Sequence, residues 1–153
     1  MRYFQQNTPL TAYERLMTET PRSRVAPYRP WRNEPHRLRM LRLRDSGLLP
    51  AGAGPQYIAA LFLLAADTDL WGQSRGHVMP GRIDFCSIPG GGLGTTAYSL
   101  FEAARAIYYA YGIDERRLCD RHTVSDELFD LIMDAKAISR YGMRWLEQEA
   151  GCL

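Results

Sequence analysis

The chain is nearly without lysine: Lys136 is the only one among its 19 basic residues, and the rest are arginine. Arginine suits bidentate contacts with phosphate or carboxylate and stacks on aromatic rings. A composition also rich in Ala, Gly and Leu fits a GC-rich coding sequence that replaces Lys throughout, so the preference by itself points to no ligand. Cysteine is scarce too. Cys86, Cys119 and Cys152 are odd in number and far apart, which argues against a disulfide framework and a zinc knuckle. Of the histidines, His36, His77 and His122, none lies in a signature of nucleophilic catalysis. No apolar run approaches the ~18 to 20 residues a membrane span requires; the longest, Tyr57 to Ala66, has ten. The opening MRYFQQNTPL lacks the regions of a secretory signal, so the expected location is cytoplasmic, with no membrane partner.

What is present suits one domain: 153 residues, of which 46% are apolar, can build a single core. Charge is uneven along the chain. Residues 1–50 carry ten arginines against Glu14, Glu19, Glu34 and Asp45, whereas residues 51–153 carry nine basic and thirteen acidic groups. Such polarity suits an arm that seeks polyanions, or one that lies across the protein's own acidic face. The organisation expected is an Arg/Pro-rich arm over 1–50 with one or two short helices, followed by a helical core domain over 51–153.

Thr8-Pro9 reads as a helix entry, with a short apolar stripe to about Thr18. From Glu19 to Pro35, prolines alternate with arginines in a segment that can bury little. The run RLRMLRLR over 37–44 fits neither a strand nor a helix period cleanly; Asn33 and Pro35 before it and Ser46-Gly47 after it favour a helix. Pro55 starts a helix that is apolar on all sides, the centre of the core, ending near 67–71. A long Gly/Pro-rich connection follows, with room for a short strand or turn near Ile83 and Phe85. Thr95 or Thr96 caps the next helix, expected to run to Gly112, with Tyr111 on its buried face and Tyr98, Glu102, Arg105 and Tyr109 on the opposite one. A short helix fits 114–120. Ser125 then caps a long helix to Tyr141, stopped by Gly142, on which Asp126, Asp130 and Asp134 form an acidic ridge, and 143–150 is a last amphipathic stretch. The fold class is therefore all-α: a compact helical domain of five to seven helices with an extended Arg/Pro-rich N-terminal arm.

Two surfaces carry the functional expectation. Tyr98, Glu102, Arg105 and Tyr109 combine residue types enriched at interface hot spots, and Tyr28 and Trp31 join them as aromatic anchors on the arm. These six are the expected protein-binding residues, for a protein partner or a homodimer. The alternative is a phosphate clamp for nucleic acid built from Arg29, Arg32, Arg37, Arg39, Arg42 and Arg44. A third reading uses the Gly-rich run from Gly90 to Thr96 before a helix N-terminus as an anion or enzymatic site, although Thr95 stands where a P-loop would have its lysine. Asp67, Asp69, His77 and Asp84 gather metal-ligating types at a spacing that matches no known metal loop, and Cys119 and His122 lie close in sequence without a supporting signature. No metal, cofactor or catalytic residue is expected.

TPLTAYERLM at residues 8–17, and LFLLAADTDLW at 61–71 followed by IDF and the Gly-rich turn, resemble segments of small accessory proteins of bacterial conjugative elements and prophages, whose function is unknown. That resemblance implies a mobile-element protein acting by binding a macromolecule of its host or element, and brings no catalytic residues. The expected function is non-catalytic macromolecular binding.

Overall fold

The computed structural model describes residues 29–149. The helix expected near 8–18 and Tyr28 lie outside the described residues. The fold is mostly helical, with six α-helices, a closing π-helical turn and one two-stranded antiparallel sheet among the described residues.

Helix α1 spans Glu34–Asp45. Asn33 caps it by accepting a hydrogen bond from the His36 amide at 3.0 Å, and Gly47, at φ 82°, closes it in a left-handed turn in which Leu48 N donates to Leu43 O. The ambiguous RLRMLRLR run is thus helical. Its buried side chains, His36, Met40 and Leu43, recur every three to four residues while arginines fill the remaining turns. Met40, Leu43 and Leu49 belong to the same core as the later helices, so residues 34–49 are part of the folded body.

Helix α2 spans Pro55–Leu64, and every side chain from Tyr57 to Leu64 is buried. It packs against both α4 (Thr95–Tyr108) and α6 (Asp126–Tyr141), which is why an all-apolar helix is stable there. The Tyr57 hydroxyl lies 2.6 Å from the Leu48 carbonyl oxygen and 2.8 Å from that of Met79, tying two loops to the start of the core helix. Where one helix was expected to tail off, the chain ends α2 and starts α3, Thr68–Ser74, with the Asp67 side chain accepting from Leu70 N at 3.0 Å as its cap. The connection that follows holds a hairpin of β1, Val78–Met79, and β2, Arg82–Ile83, with Gly81 at φ 77° in the turn.

Helix α4 begins at Thr95, and Gly94 stands at its N-cap in place of the expected threonine. It ends at Tyr108, several residues before Gly112. Helix α5 is the single turn Glu115–Leu118. Helix α6 matches its expected bounds, with Ser125 Oγ accepting from Leu128 N and Gly142 at φ 72°. The acidic ridge on α6 does not form. Positions 126, 130 and 134 drift around the helix by about 40° per step, so Asp126 is exposed, Asp130 half-buried and Asp134 buried at 1% exposure. Trp145 and Leu146, in the π-helical turn Trp145–Glu149, are fully buried and close the core. No helix among the described residues is long and apolar enough to cross a membrane.

Candidate functional site

The arginines of 29–44 do not form one outward patch. At the C-terminal end of α2 the carbonyls of Phe62, Ala65 and Ala66 lie in the last turn and just beyond it, where intrahelical partners run out. His36 Nε2 donates to Phe62 O at 2.8 Å, Arg39 Nη1 to Ala65 O at 2.6 Å, and Arg32 Nη1 to Ala66 O at 3.2 Å. Arg39 also bonds the Thr68 hydroxyl, and Arg32 pairs with Asp67 at 3.3 Å and Glu127 at 3.0 Å. Cations at a helix C-terminus oppose its negative dipole end, so these two arginines serve the fold. Arg37 pairs with Glu34, holding that carboxyl below its ordinary range, and Arg44 pairs with Asp45 at 3.3 Å. Arg29 and Arg42 are exposed.

His36 is fixed in one tautomer. Its Nδ1 accepts from Arg32 N at 3.0 Å while Nε2 donates to Phe62 O. Burial pushes its pKa down to about 3; the Phe62 hydrogen bond opposes that shift but does not overcome it. Trp31, expected as a partner-facing anchor, packs inward on His36 at 5.4 Å and Phe62 at 6.0 Å between ring centroids. It anchors the segment to its own core.

The other end of the molecule's helical pairings is the C-terminus of α4. Tyr111 N donates to Ala106 O and Ala110 N to Ile107 O, the same closing motif that ends α1, but the left-handed position is Ala110 at φ 58° rather than glycine. A non-glycine residue there costs about 1 kcal/mol. The turn reverses the chain so that Tyr109 and Tyr111 stack almost parallel, 6° between planes and 6.3 Å between centroids. They are 49% and 51% exposed, and Tyr98, about three turns earlier on the same face, is 39% exposed. Tyr111 was expected on the buried face, which presupposed a helix continuing to Gly112. Beneath this cluster, Phe85 lies 5.9 Å from the Tyr109 ring, 5.2 Å from Tyr108 and 6.0 Å from Phe101. Partial burial raises the Tyr109 pKa, so its hydroxyl is a neutral donor at physiological pH.

Glu102 and Arg105, expected on an open face with these tyrosines, are half-buried. Both line a cavity of about 230 Å³ between α4, the 111–118 segment and α6. Glu102 pairs there with Arg117 at 2.6 Å. Arg105 places its guanidinium carbon 5.4 Å from the Phe101 ring centroid, a cation–π contact, yet its Nε is buried with no hydrogen-bond partner. Ser99 lines the same cavity at 7% exposure, and its Oγ is likewise buried and unpartnered. A buried polar group left so costs ~1–3 kcal/mol. Ser99 escaped the sequence reading because a lone serine in a helix carries no periodic signal; its stripe with Ala103 and Ala106 consists of small residues.

The remaining expected features are used for structure. Gln73 grips the Gly-rich run, its Oε1 accepting from Gly90 N at 2.9 Å and its Nε2 donating to Gly91 O at 2.8 Å. Asp67 caps α3 and Asp84 accepts from the Ser87 hydroxyl; no three metal-ligating side chains converge among the described residues. Cys119 and His122 are both exposed, and the His122 amide donates to Asp120. Comparison with known proteins finds no family model that matches the chain, and no similar curated protein or solved structure.

Proposed function

We propose that the protein is a protein-binding module whose contact surface runs along one face of α4, from Tyr98 near its start past Glu102 and Arg105 to Tyr109 and Tyr111 at its end. One observation carries this reading. A non-glycine left-handed residue, Ala110, sets two half-exposed tyrosines with their rings nearly parallel. Strain of that kind gathers at functional sites. Tyrosine offers a large apolar area and a polar tip at small entropic cost, which is why it is enriched where proteins meet. The polyanion alternative has less support, because Arg32, Arg37, Arg39 and Arg44 are engaged within the chain.

The test is photo-crosslinking in cells with p-benzoylphenylalanine at position 98, against a control at the exposed Lys136 of α6. A discrete adduct, made at 98 and reduced tenfold or more by Tyr109→Ala, is expected. Equal adducts at both positions, or an adduct indifferent to Tyr109→Ala, would exclude this surface.

A further inference from the structure

We infer that the Tyr109–Tyr111 end of this surface takes an arginine side chain of the partner protein, its guanidinium flat against a tyrosine ring and hydrogen-bonded to Asp84. This contact rests on the protein-binding reading and names what the partner brings to it. Two features of the surface, one aromatic and one ionic, select the same side chain. Arginine stacks on aromatic faces and at the same time offers planar donors to a carboxylate. The fold already uses the first kind of contact: Arg105 lies over the Phe101 ring at 5.4 Å and Arg140 over Tyr141 at 5.5 Å. Among the described residues no cation covers Tyr109 or Tyr111, whose half-exposed rings are nearly parallel.

The carboxylate is placed by the hairpin. Ile83 N donates to the Tyr108 hydroxyl at 3.2 Å, and Phe85 packs on Tyr108 and Tyr109 at 5.2 and 5.9 Å between ring centroids. Asp84, between them in sequence, is thereby held beside the last turn of α4. Desolvation is the largest cause of the raised Tyr109 pKa, and the Asp84 charge adds to it, with no cation opposing the shift. Asp84 accepts from the Ser87 hydroxyl at 2.6 Å. That bond, with smaller help from His77 and Arg82, holds its carboxyl below the ordinary range, so it is ionised at neutral pH. Among the described residues it forms no ion pair. The cations of the α4 face are engaged elsewhere, Arg117 with Glu102 at 2.6 Å and Arg105 over Phe101. A carboxylate has about four acceptor sites, so Asp84 keeps room for a guanidinium. An acidic partner would be repelled there, and lysine lacks the planar fork that can stack and bond together.

The probe is N-acetyl-arginine amide, titrated into the full chain with ¹³C-labelled tyrosine rings. Saturable shifts are expected at Tyr109 and Tyr111 and none at Tyr141, which Arg140 already covers. The lysine amide should bind several-fold more weakly, and the citrulline amide, which keeps the shape and loses the charge, at least tenfold more weakly. Asp84→Asn keeps an acceptor for Ser87 and should weaken the arginine probe fivefold or more; Tyr109→Leu should do the same through the ring. In cells, Asp84→Asn should reduce the adduct at position 98 by a similar factor. Equal binding of the citrulline amide, binding indifferent to Asp84→Asn, or an adduct indifferent to it would overturn the arginine contact and leave the protein-binding surface standing. An adduct that proves to be residues 1–28 of the chain itself would give the site to the chain's own arginines and overturn its assignment to a partner. Absence of any adduct in the parent, with the arginine shifts intact, would overturn the protein-binding reading and the partner assignment with it.

Discussion

Two helices end in opposite ways. The end of α2 is closed: His36, Arg39 and Arg32 each donate to one of its terminal carbonyls, and Asp67 starts the next helix at once. The end of α4 is left open. Its own backbone closes the turn through a strained alanine, Tyr109 and Tyr111 face solvent, and Arg105 Nε in its last turn is buried with no hydrogen-bond partner. A chain that satisfies one helix end with three long-range donors and leaves a buried polar atom at another has one end committed to folding and one that is not.

The comparison breaks most readily at His36. Truncation by His36→Ala removes one buried and one part-buried hydrogen bond and ring contacts with Trp31 and Phe62, and should cost about 3 kcal/mol in denaturant unfolding with an unchanged m value. The effect of pH comes next. A histidine whose pKa falls from 6.5 to about 3 on folding binds its proton more readily in the unfolded chain. Its contribution to stability is thus present above pH 6.5 and lost progressively as pH falls towards 3. About 2 kcal/mol should disappear between pH 7 and pH 5, and His36→Gln should remove that slope.

Smaller effects sharpen the contrast. Arg39→Ala should cost about 1 to 2 kcal/mol through the Ala65 carbonyl, whereas exposed Arg42→Ala should stay within about 0.5 kcal/mol. At the open end the sign reverses. Ala110→Gly relieves the left-handed turn and should stabilise the chain by about 0.5 to 1 kcal/mol; a loss of stability there would mean that the turn carries no strain.

Local chemistry was legible in the sequence. Asn33, Pro55 and Ser125 announced helix starts, Gly47 and Gly142 announced ends, and the unbroken apolar run from Tyr57 gave the core helix. What depended on distant partners was not. Arg32 and Arg39 read as surface cations because the carbonyls they bond lie 34 and 26 residues away, respectively. The end of α4 was misplaced because glycine is the ordinary residue for its closing turn, so Gly112 drew the boundary that Ala110 holds. That shift of register moved Tyr111 outward and hid the cavity, whose small-residue wall at Ser99, Ala103 and Ala106 gives no amphipathic signal of its own.

The most direct test joins both halves of the comparison in one variant, Tyr109→Ala with Tyr111→Ala, measured for unfolding free energy and for crosslinked adduct at position 98. Stability within about 1 kcal/mol of the parent, together with loss of the adduct, is the predicted result. A loss of several kcal/mol, of the kind a core truncation produces, or an undiminished adduct would contradict the reading of this helix end as a binding surface.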